Sequence, residues 1–406
     1  MNDDGGESIA IVDAPYLLAL NIPLVRTPDG RYFADPSWAK DLLLHPAYLP
    51  RLILACPYIR QAAPEPGWTE VAGVTVRGWR TVRRGAGQYL AMVGMIARLL
   101  AEVPRARVVH CGIAGFPFPA GWVAVPLARL LGRRIVIVVE SAFWRVPHGE
   151  AVDGSRRRKA ALWEAMNRFC LRQADYAAYS QDDYRRTLPA PRAGGGALFQ
   201  ASWIDEGVVL PVEAIATRQS MRGGPGRFLF ASRMIAEKGT AIVAEALRLL
   251  AGRAAQVHID IIGDGPELDG LRSAAGTDWG RAHVRVLDQV PYGPAFFELL
   301  GGYDAVLVPS LSDEQPRIIY DAYSQGVSTI AADTPGTRAC VRDGETGMLI
   351  PPGDASALAE ALVEATRDPA ALRRMGRAGR DLAAANTHAG MHRQRAAGIA
   401  RMLQGR

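Results

Sequence analysis

Short apolar segments alternate along the chain with longer segments of helical periodicity. Near-continuous runs of Val, Ile and Leu, each bounded by Gly, Pro or Asp, are typical of strands buried on both faces of a parallel sheet. These runs are SIAIVDA (8–14), RLILACP (51–57), RVVHCG (107–112), RIVIVVE (134–140), RFLFAS (227–232), VHIDIIG (257–263), VRVLDQV (284–290), AVLVPS (305–310) and VSTIAAD (327–333). The amphipathic segments between them supply crossover helices, so the pattern predicts an α/β protein with parallel sheets.

The alternation is interrupted in the segment VLPVEAIATRQSMRGGPGRFLFASR (209–233), where Pro211 and the glycine cluster at 223–226 precede a new strand at Phe228. Such a break is typical of a domain boundary, and 406 residues exceed what one hydrophobic core usually fills. We therefore predict an N-terminal domain over 1–213 and a C-terminal domain over 214–385. An Arg- and Ala-rich helix over 386–406 is a candidate to pack back on the first domain.

Composition narrows the class of protein. The chain is 49% hydrophobic and 22% charged with a mean hydropathy of +0.01, which indicates a folded, globular protein. It begins with an acidic segment where a signal peptide would be basic, and no apolar run is long enough to cross a bilayer. The four cysteines, Cys56, Cys111, Cys170 and Cys340, have no short spacing, so we interpret them as structural residues of a cytoplasmic protein.

The positive charge is modest and spread along the chain. A net charge of +6 over 406 residues does not predict a nucleic-acid partner. One cluster stands out in RRRKAALWEAMNRFCLRQ (156–173), where Trp163, Met166 and Phe169 recur at helical spacing behind four cations. Two interpretations stay open: peripheral contact with an anionic membrane, and a core-facing helix with a solvated basic end, which we favour.

Lysine occurs at three positions, 40, 159 and 238, and the last lies within a recognisable pattern. In FLFASRMIAEKGTAIVAEALRLL (228–250), Arg233 and Lys238 occupy a turn between a strand and a helix that begins near Gly239. A helix N-terminus offers free amides and a positive dipole end, so two cations beside it predict a diphosphate site that needs no metal. An exposed, purely structural pair is the alternative.

Two further segments place polar or glycine residues where strands end. Gly263 and Gly265 in IIGDGPEL form a tight turn that lets a ligand approach the backbone, although an ordinary strand–helix turn has the same composition. In VPSLSDEQPRIIYDAYSQG (308–326), Asp313 lies in a loop after a buried strand and Asp321 about two turns into the next helix. Either aspartate is also explained as a helix cap or a solvated side chain.

These segments follow one another in an order that resembles the retaining nucleotide-sugar glycosyltransferases of family 4. That family has an R-x4-K pair, a GxGP turn, a PS-x-x-E-x7-E-A segment and a DG-x-x-G-x-L-x-x-PGD segment. The corresponding segments here are Arg233 with Lys238, GDGP (263–266), PSLSDEQPRIIYDA (309–322) and RDGETGMLIPPGD (342–354). The resemblance covers residues 226–385 and implies the GT-B fold, two Rossmann-like parallel-sheet domains facing across a cleft.

The resemblance also implies roles for individual residues. Arg233 and Lys238 take the positions that bind the donor diphosphate, Asp321 the position that holds the ribose hydroxyls, and Asp313 the position that contacts the transferred sugar. The other positions carried over to the donor site are Gly263, Gly265, Glu314, Pro316 and Arg317. Both family glutamates are aspartates here, one methylene shorter, so we expect either a backbone shift or a contribution from Glu314. No metal and no other cofactor is implied.

The first half of the chain is divergent. Glu140, after the strand RIVIVV, stands where the family has a histidine, and a carboxylate there can orient an acceptor hydroxyl or act as a base. The alternative is a buried glutamate paired with an arginine such as Arg145. His110 ends another strand, where it can line the cleft, although a buried core position is more common for such a histidine. The family's glycine-rich loop after the first strand is missing.

We therefore predict a retaining glycosyltransferase that uses a nucleoside diphosphate sugar and a glycan, lipid-linked or small-molecule acceptor. Surface polysaccharide or glycoconjugate biosynthesis is the setting that the resemblance implies. The departures at Asp313, Asp321 and Glu140 motivate an alternative, a sugar-nucleotide-binding partner subunit with weak catalysis. A nicotinamide dehydrogenase is disfavoured because SIAIVDAPYLL lacks the glycine fingerprint after the first strand.

Overall fold

A computed structural model describes residues 9–146, 152–221, 226–253 and 255–405. The chain divides into two compact units: unit 1 runs to Phe199 and resumes at Met391, and unit 2 spans Gln200–Gly390. The predicted boundary at 213/214 lies further along the chain. The difference has a physical reason, because the backbone N–H of Leu210 donates to the Ser324 carbonyl at 2.9 Å and ties this stretch to unit 2. Among the described residues, no helix combines the length and apolarity needed to cross a bilayer.

Among its described residues before position 200, unit 1 has two sheets and five α-helices. Its strands are β1 (Tyr16–Ala19), β2 (Leu24–Arg26), β3 (Tyr32–Ala34), β4 (Leu52–Ala55), β5 (Pro57–Arg60), β6 (Thr69–Glu70), β7 (Thr75–Val76), β8 (Trp79–Arg80), β9 (Val108–Cys111), β10 (Arg134–Val139), β11 (Tyr176–Tyr179) and β12 (Ala197–Leu198). Its helices are α1 (Pro36–Leu42), α2 (Gly87–Glu102), α3 (Gly121–Leu130), α4 (Gly154–Gln173) and α5 (Asp182–Thr187).

The main sheet of unit 1 is parallel, with strand order β12-β11-β10-β9-β1-β4-β7. A smaller mixed sheet has the order β6-β3-β2-β5-β8. The predicted strand SIAIVDA is wrong for its described residues, 9–14, which form no strand; the first strand is Tyr16–Ala19. All four residues of this strand are buried between β4 and β9, whereas in the segment before Pro15 the Val12 amide donates to the Tyr48 carbonyl, outside any strand ladder.

Unit 2 is built around one parallel sheet. Its strands are β13 (Gly226–Ala231), β14 (Val257–Ile262), β15 (Val284–Leu287), β16 (Ala305–Val308), β17 (Ser328–Ala332) and β18 (Gly347–Ile350). Its helices are α6 (Val212–Ser220), α7 (Thr240–Gly252), α8 (Leu268–Ala275), α9 (Asp278–His283), α10 (Pro294–Leu300), α11 (Arg317–Ser324), α12 (Pro335–Arg338), α13 (Ala355–Arg367) and α14 (Pro369–Ala385). The last helix, α15 (His388–Gln404), begins in unit 2 and continues in unit 1.

The unit 2 sheet has the order β15-β14-β13-β16-β17-β18, which is the 3-2-1-4-5-6 order of a doubly wound Rossmann-like domain. Each of the remaining eight predicted strand runs overlaps a strand of the two parallel sheets. In an open sheet of this kind, ligands bind outside the carboxyl ends of the strands at the point where the strand order reverses. In unit 2 that switch point lies between β13 and β16.

The C-terminal residues attach to unit 1 through a buried polar network. Nε2 of His392 lies 3.1 Å from Oδ1 of Asp41, and its Nδ1 lies 3.2 Å from the Tyr48 hydroxyl. A guanidinium nitrogen of Arg395 lies 3.3 Å from Nε2 of His45. Each residue satisfies polar groups of another, so the network is consistent with the burial of all five.

Candidate donor site at the switch point of unit 2

The loops that follow β13 and β16 are joined by their backbones. The Glu237 carbonyl accepts from the Leu311 amide at 2.8 Å and from the Ser310 hydroxyl at 3.1 Å. Gly239, which precedes α7, has a φ of +74° and packs against the Pro309 carbonyl, where a Cβ would collide. The switch point therefore has a defined shape in which the start of α7 lies beside the Pro309–Pro316 loop.

Arg233 and Lys238 both lie in the loop that follows β13. Arg233 is exposed and Lys238, at the end of a 3₁₀ turn, is half-buried. Within the described ranges, neither side chain has an ion-pair or hydrogen-bond partner. No side chain caps the N-terminus of α7, which begins two residues after Lys238. Two unpartnered cations beside an uncapped helix N-terminus form a site that suits a doubly charged anion.

The glycines of the GDGP turn have a packing role. Gly263 and Gly265 have φ values of +147° and +150°, and a Cβ on either would collide with the backbone carbonyl of Ser232 or Met234. The turn is held there by the bond from the Met234 amide to the Asp264 carbonyl at 2.9 Å. These glycines thus allow the loops after β13 and β14 to lie in direct backbone contact. Their contact with a donor stays a prediction.

Asp313 and Glu314 lie in the loop between β16 and α11, where Asp313 is half-buried and Glu314 is exposed. Gly336, near the start of α12, packs against the carbonyl groups of both residues. Within the loop, the Glu314 amide donates a hydrogen bond to the Ser312 hydroxyl at 3.2 Å. The loop is therefore braced from two sides, and the two carboxylates extend from a fixed backbone.

Asp321 lies within α11 and is 4% exposed. The hydroxyl of Tyr292, from the loop after β15, donates to its Oδ1 at 3.0 Å. Burial, followed by the Asp321 charge, raises the pKa of Tyr292, so this hydroxyl remains a donor. Sequence spacing does not reveal Tyr292, because the contact joins the loop after β15 to helix α11, which follows β16, a strand that is not adjacent to β15 in the sheet.

Arg317, the first residue of α11, makes a cation–π contact in which its guanidinium carbon lies 3.8 Å from the ring centroid of Trp203. The Trp203 ring also stacks on His388, with a centroid distance of 5.1 Å and an interplanar angle of 13°. Pro316 precedes α11 as its N-cap residue and ends the loop. Arg317 is thus oriented by a ring from a distant segment, which sequence spacing did not reveal.

Residues Gln200 and Ala201 also contact the site loop. The Ala201 amide donates to Oε1 of Gln315 at 2.7 Å, and Nε2 of Gln315 donates to Oε1 of Gln200 at 2.8 Å. This pair of bonds joins the first residues of unit 2 to the loop that carries Asp313. The one sequence signal for this contact is the amide side chain at position 315, within the loop that carries Asp313.

In unit 1, Glu140 follows β10 at the carboxyl edge of the main sheet and is exposed. The arginine considered as its partner, Arg145, is instead bonded to both oxygens of Glu164, at 3.1 and 2.9 Å. The Glu140 carbonyl accepts from the Ser180 hydroxyl at 3.0 Å. Burial alone would lower the pKa of the Arg395 guanidinium, but nearby groups, among them Tyr48, Asp41 and Glu140, raise it above its usual value.

His110 is a core histidine. It is 4% exposed, and its Nδ1 lies 3.1 Å from the Tyr16 hydroxyl. Burial lowers its pKa well below the usual value, so it stays neutral at physiological pH.

Asp41, His45 and His392 lie close enough together to hold a metal ion. Their ligand atoms are already bonded, however, to one another, to Tyr48 and to the Arg395 guanidinium. The fixed positive charge of Arg395 disfavours a second cation at that place. We therefore interpret the cluster as the network that anchors the C-terminal residues.

The switch point of unit 1 also borders a cavity. Asn21, after β1, bonds to the Phe118 carbonyl at 2.9 Å and to the Ala120 amide at 2.6 Å, which fixes the loop after β9. Beside it lies a cavity of about 460 Å³. The lining is largely apolar and aromatic and includes Trp68, Trp79, Met92, Met95, Phe116 and Phe118, with Arg83 and Arg84 also present. Such a cavity suits a ligand with an apolar part and an anionic group.

Known proteins with similar sequences support the class of enzyme. A family model described as glycosyl transferases group 1 matches residues 225–368. Alpha-D-kanosaminyltransferase of Streptomyces kanamyceticus is 24% identical over 75% of this chain and 79% of its own length. Phosphatidyl-myo-inositol mannosyltransferase of Mycolicibacterium smegmatis is 34% identical, but over 32% of this chain and 33% of its own length.

Solved structures support the fold. The crystal structure of Anabaena HepE in complex with UDP has a TM-score of 0.65 and 17% identity, and the match covers 96% of this chain and all of that one. With the two parallel sheets, this likeness confirms the predicted GT-B fold. The family model and the relatives confirm the predicted resemblance to glycosyltransferases, and assignment to family 4 is consistent with them.

Proposed function

This chain is a glycosyltransferase of the GT-B fold, and from that premise we propose that it transfers a hexosyl group from a nucleoside diphosphate sugar with retention of configuration. The acceptor is a glycan, a lipid-linked or a small molecule of surface polysaccharide or glycoconjugate biosynthesis. The observation that carries the proposal is the unpartnered pair Arg233 and Lys238 at the unit 2 switch point. The UDP complex of HepE supports a donor of this class.

The two cations stabilise the leaving group. As the bond between the sugar C1 and the phosphate oxygen breaks, negative charge grows on the diphosphate. Arg233 and Lys238, with the amides at the start of α7, offset that charge without having to reorganise. No metal ion is required for this step, since fixed cations supply the same electrostatic stabilisation.

Two aspartates orient the donor. Asp321 accepts hydrogen bonds from the ribose hydroxyls, and its position is set by Tyr292. Asp313 contacts the transferred sugar from the braced loop after β16. Glu314, Pro316 and Arg317 complete the donor site, with Arg317 oriented by the Trp203 ring.

Retention follows from attack on the face that the leaving group departs from. The acceptor oxygen forms the new bond to C1 while the departing phosphate oxygen takes the acceptor proton, so charge and atoms balance and no enzyme nucleophile is used. In unit 1, Glu140 is exposed at the edge of the sheet, where it can orient an acceptor hydroxyl.

Donor screening by thermal shift tests the proposal. Uridine, guanosine, adenosine and thymidine diphosphate sugars are compared, since a tightly bound donor raises the unfolding temperature by mass action. The anomeric configuration of the product is then read by proton NMR. An α-linked donor should give an α-linked product, and an inverted product would contradict retention. Binding without transfer or hydrolysis would instead support the partner-subunit alternative, which the comparisons do not favour.

A further inference from the structure

Helix α2 of unit 1 has an exposed face that is apolar along its whole length. Leu90 and Val93 are 75% and 71% exposed, and Tyr89 and Leu100 are both 54% exposed. These residues recur at spacings of three to four, with Ile96 between them, so they form one stripe on a helix about 24 Å long. A surface helix of a globular protein normally carries charged residues on this side.

Charge is absent from the stripe and concentrated at its ends. Between Tyr89 and Ala101 the sequence has no Lys, Asp or Glu and a single Arg, Arg98. Arg98 bonds to the buried Glu102 at 3.3 Å. Arg83 and Arg84 lie just before the helix and Arg105 just after it, all three exposed. Between residues 77 and 107 the chain has seven arginines and one acidic residue, Glu102.

The basic helix α4 lacks a comparable stripe. Its Trp163 is 4% exposed and packs in the core of unit 1, where its ring lies 4.9 Å from that of Trp122. Arg156 bonds to carbonyl groups of the preceding loop, and Glu164 lies on the same helix. Trp163, one of the residues on which the sequence-based membrane interpretation rested, therefore points into the protein.

We propose that the exposed face of α2 docks on the surface of an anionic lipid bilayer. The helix lies in the plane of the interface, its apolar stripe enters the headgroup boundary, and the arginines at its two ends contact anionic headgroups. Docking through this surface does not require a bound sugar donor or acceptor substrate. It goes beyond the transfer reaction proposed above.

Charge complementarity favours a bilayer over a second copy of the chain. Two copies that pair antiparallel through α2 would place Arg83 and Arg84 of one copy beside Arg105 of the other. Arg83 has an ion-pair partner in Glu65, but Arg84 has none among the described residues, so the paired surfaces would oppose like charges. Anionic headgroups offer the opposite charge at both ends of the helix.

Docking would place the unit 1 cavity at the membrane surface. The inner face of α2 lines that cavity with Met92 and Met95, while its outer face carries Leu90 and Val93. A lipid-linked acceptor could then enter the cavity from the headgroup region. This last step rests on the proposed function, whereas docking itself does not.

The test is co-sedimentation of the full chain with vesicles at low ionic strength, with no donor present. Vesicles of phosphatidylcholine with phosphatidylglycerol are compared with phosphatidylcholine alone. The parent should bind the anionic vesicles more strongly, and added salt should weaken the binding. The double variant Leu90→Glu, Val93→Glu should lower the partition coefficient about tenfold or more, because two charges replace side chains that enter the interface.

The matched control makes the same change on α4, in the double variant Leu162→Glu, Phe169→Glu, at residues that are 55% and 41% exposed. It should retain vesicle binding. Circular dichroism verifies that both variants fold. Loss of binding in the α4 variant with retention in the α2 variant would overturn the proposal, as would failure of the folded parent to bind anionic vesicles. Dimerisation without lipid that the α2 variant abolishes, together with absent vesicle binding, would assign the face to a second copy instead.

Discussion

The hydroxyl of Tyr292 donates a 3.0 Å hydrogen bond to Oδ1 of Asp321, a carboxylate that is 4% exposed. The two residues come from the loop after β15 and from α11, so the bond joins separate parts of the carboxyl edge of the unit 2 sheet. It fixes the carboxylate that we propose to bind the donor ribose. Each residue can be changed with little loss of volume, which allows the proposal to be tested.

Asp321→Asn removes the charge that accepts from the ribose hydroxyls. Hydrogen bonds to charged groups contribute about 1.5–3 kcal/mol, so we expect nucleoside diphosphate affinity to fall roughly ten- to a hundredfold. Tyr292→Phe should reduce affinity less, because the charge remains. Calorimetry measures both. If Asp321→Asn binds like the parent while Glu314→Gln loses affinity, Glu314 is the residue that the site uses.

Asp313→Asn should act on turnover and spare binding. A contact to the reacting sugar contributes mainly in the transition state, so kcat should fall while the affinity for the free nucleoside diphosphate is unchanged. Steady-state kinetics and calorimetry separate the two quantities. Asp278→Asn, on the exposed helix α9, is the matched control and should change neither. Weakened nucleotide binding by Asp313→Asn would contradict the proposed contact.

Lys238→Ala removes one of the two cations that offset leaving-group charge. Turnover should decrease on the order of a hundredfold or more, with the free energy of unfolding nearly unchanged. Lys159→Ala, at the exposed start of α4, serves as the control for loss of one lysine charge. Near-normal turnover of Lys238→Ala would remove this lysine from the site.

Gly239→Ala tests the backbone at the switch point. A side chain at φ +74° is strained, and its Cβ would collide with the Pro309 carbonyl, so we expect a loss of about 2 kcal/mol or more in the free energy of unfolding. Gly252→Ala, at the other end of α7, meets no atom within 4 Å and should be neutral or stabilise by up to about 1 kcal/mol. Urea unfolding compares them; equal effects would contradict the close approach.

Stability should decrease as the solution becomes acidic below pH 6.5. Burial lowers the pKa of His45 to about 3 and that of His110 well below its usual value, so the folded state binds fewer protons than the unfolded state. Each such histidine costs about 1.4 kcal/mol of stability per pH unit between its unfolded and folded pKa values. The stability is fully present above pH 6.5 and is lost as the pH falls towards 3.

Urea unfolding at several pH values between 7.5 and 5 measures this slope. His45→Gln removes one depressed histidine, so its slope below pH 6.5 should be shallower than that of the parent. His258→Gln changes an exposed histidine and should leave the slope as it was. A parent whose stability is constant over this range would show that neither buried histidine resists protonation.

Much of unit 2 could be predicted from the sequence. The runs at 227–232, 257–263 and 305–310 overlap β13, β14 and β16, because strands buried on both faces need continuous apolar residues. The position of Lys238 just before a helix is also confirmed, with α7 beginning at Thr240. Glycine at 239 marks the turn in the sequence itself, since a positive φ favours this residue.

The first strand was placed too early because SIAIVDA and YLLA are both apolar. Only the pairing partners distinguish them: Tyr16–Ala19 lies in register with both β4 and β9, and residues 9–14 have no strand partner. The short strands β6, β7 and β8, each of two residues, carry too little periodicity to be recognised. The exposure of the apolar stripe on α2 could not be predicted either, because a buried and an exposed apolar helix face have the same sequence pattern.

The sequence by itself determined the α/β class, most of the buried parallel strands and the set of charged residues near the strand ends, because each depends on residues close together in the chain. Only the tertiary structure decided which groups meet. Tyr292 in the loop after β15 meets Asp321 in α11, Arg317 stacks on Trp203, and His392 contacts Asp41. A contact between distant segments depends on strand order and packing. The free energy that favours it comes from interactions throughout the core, so no single segment of the sequence determines it.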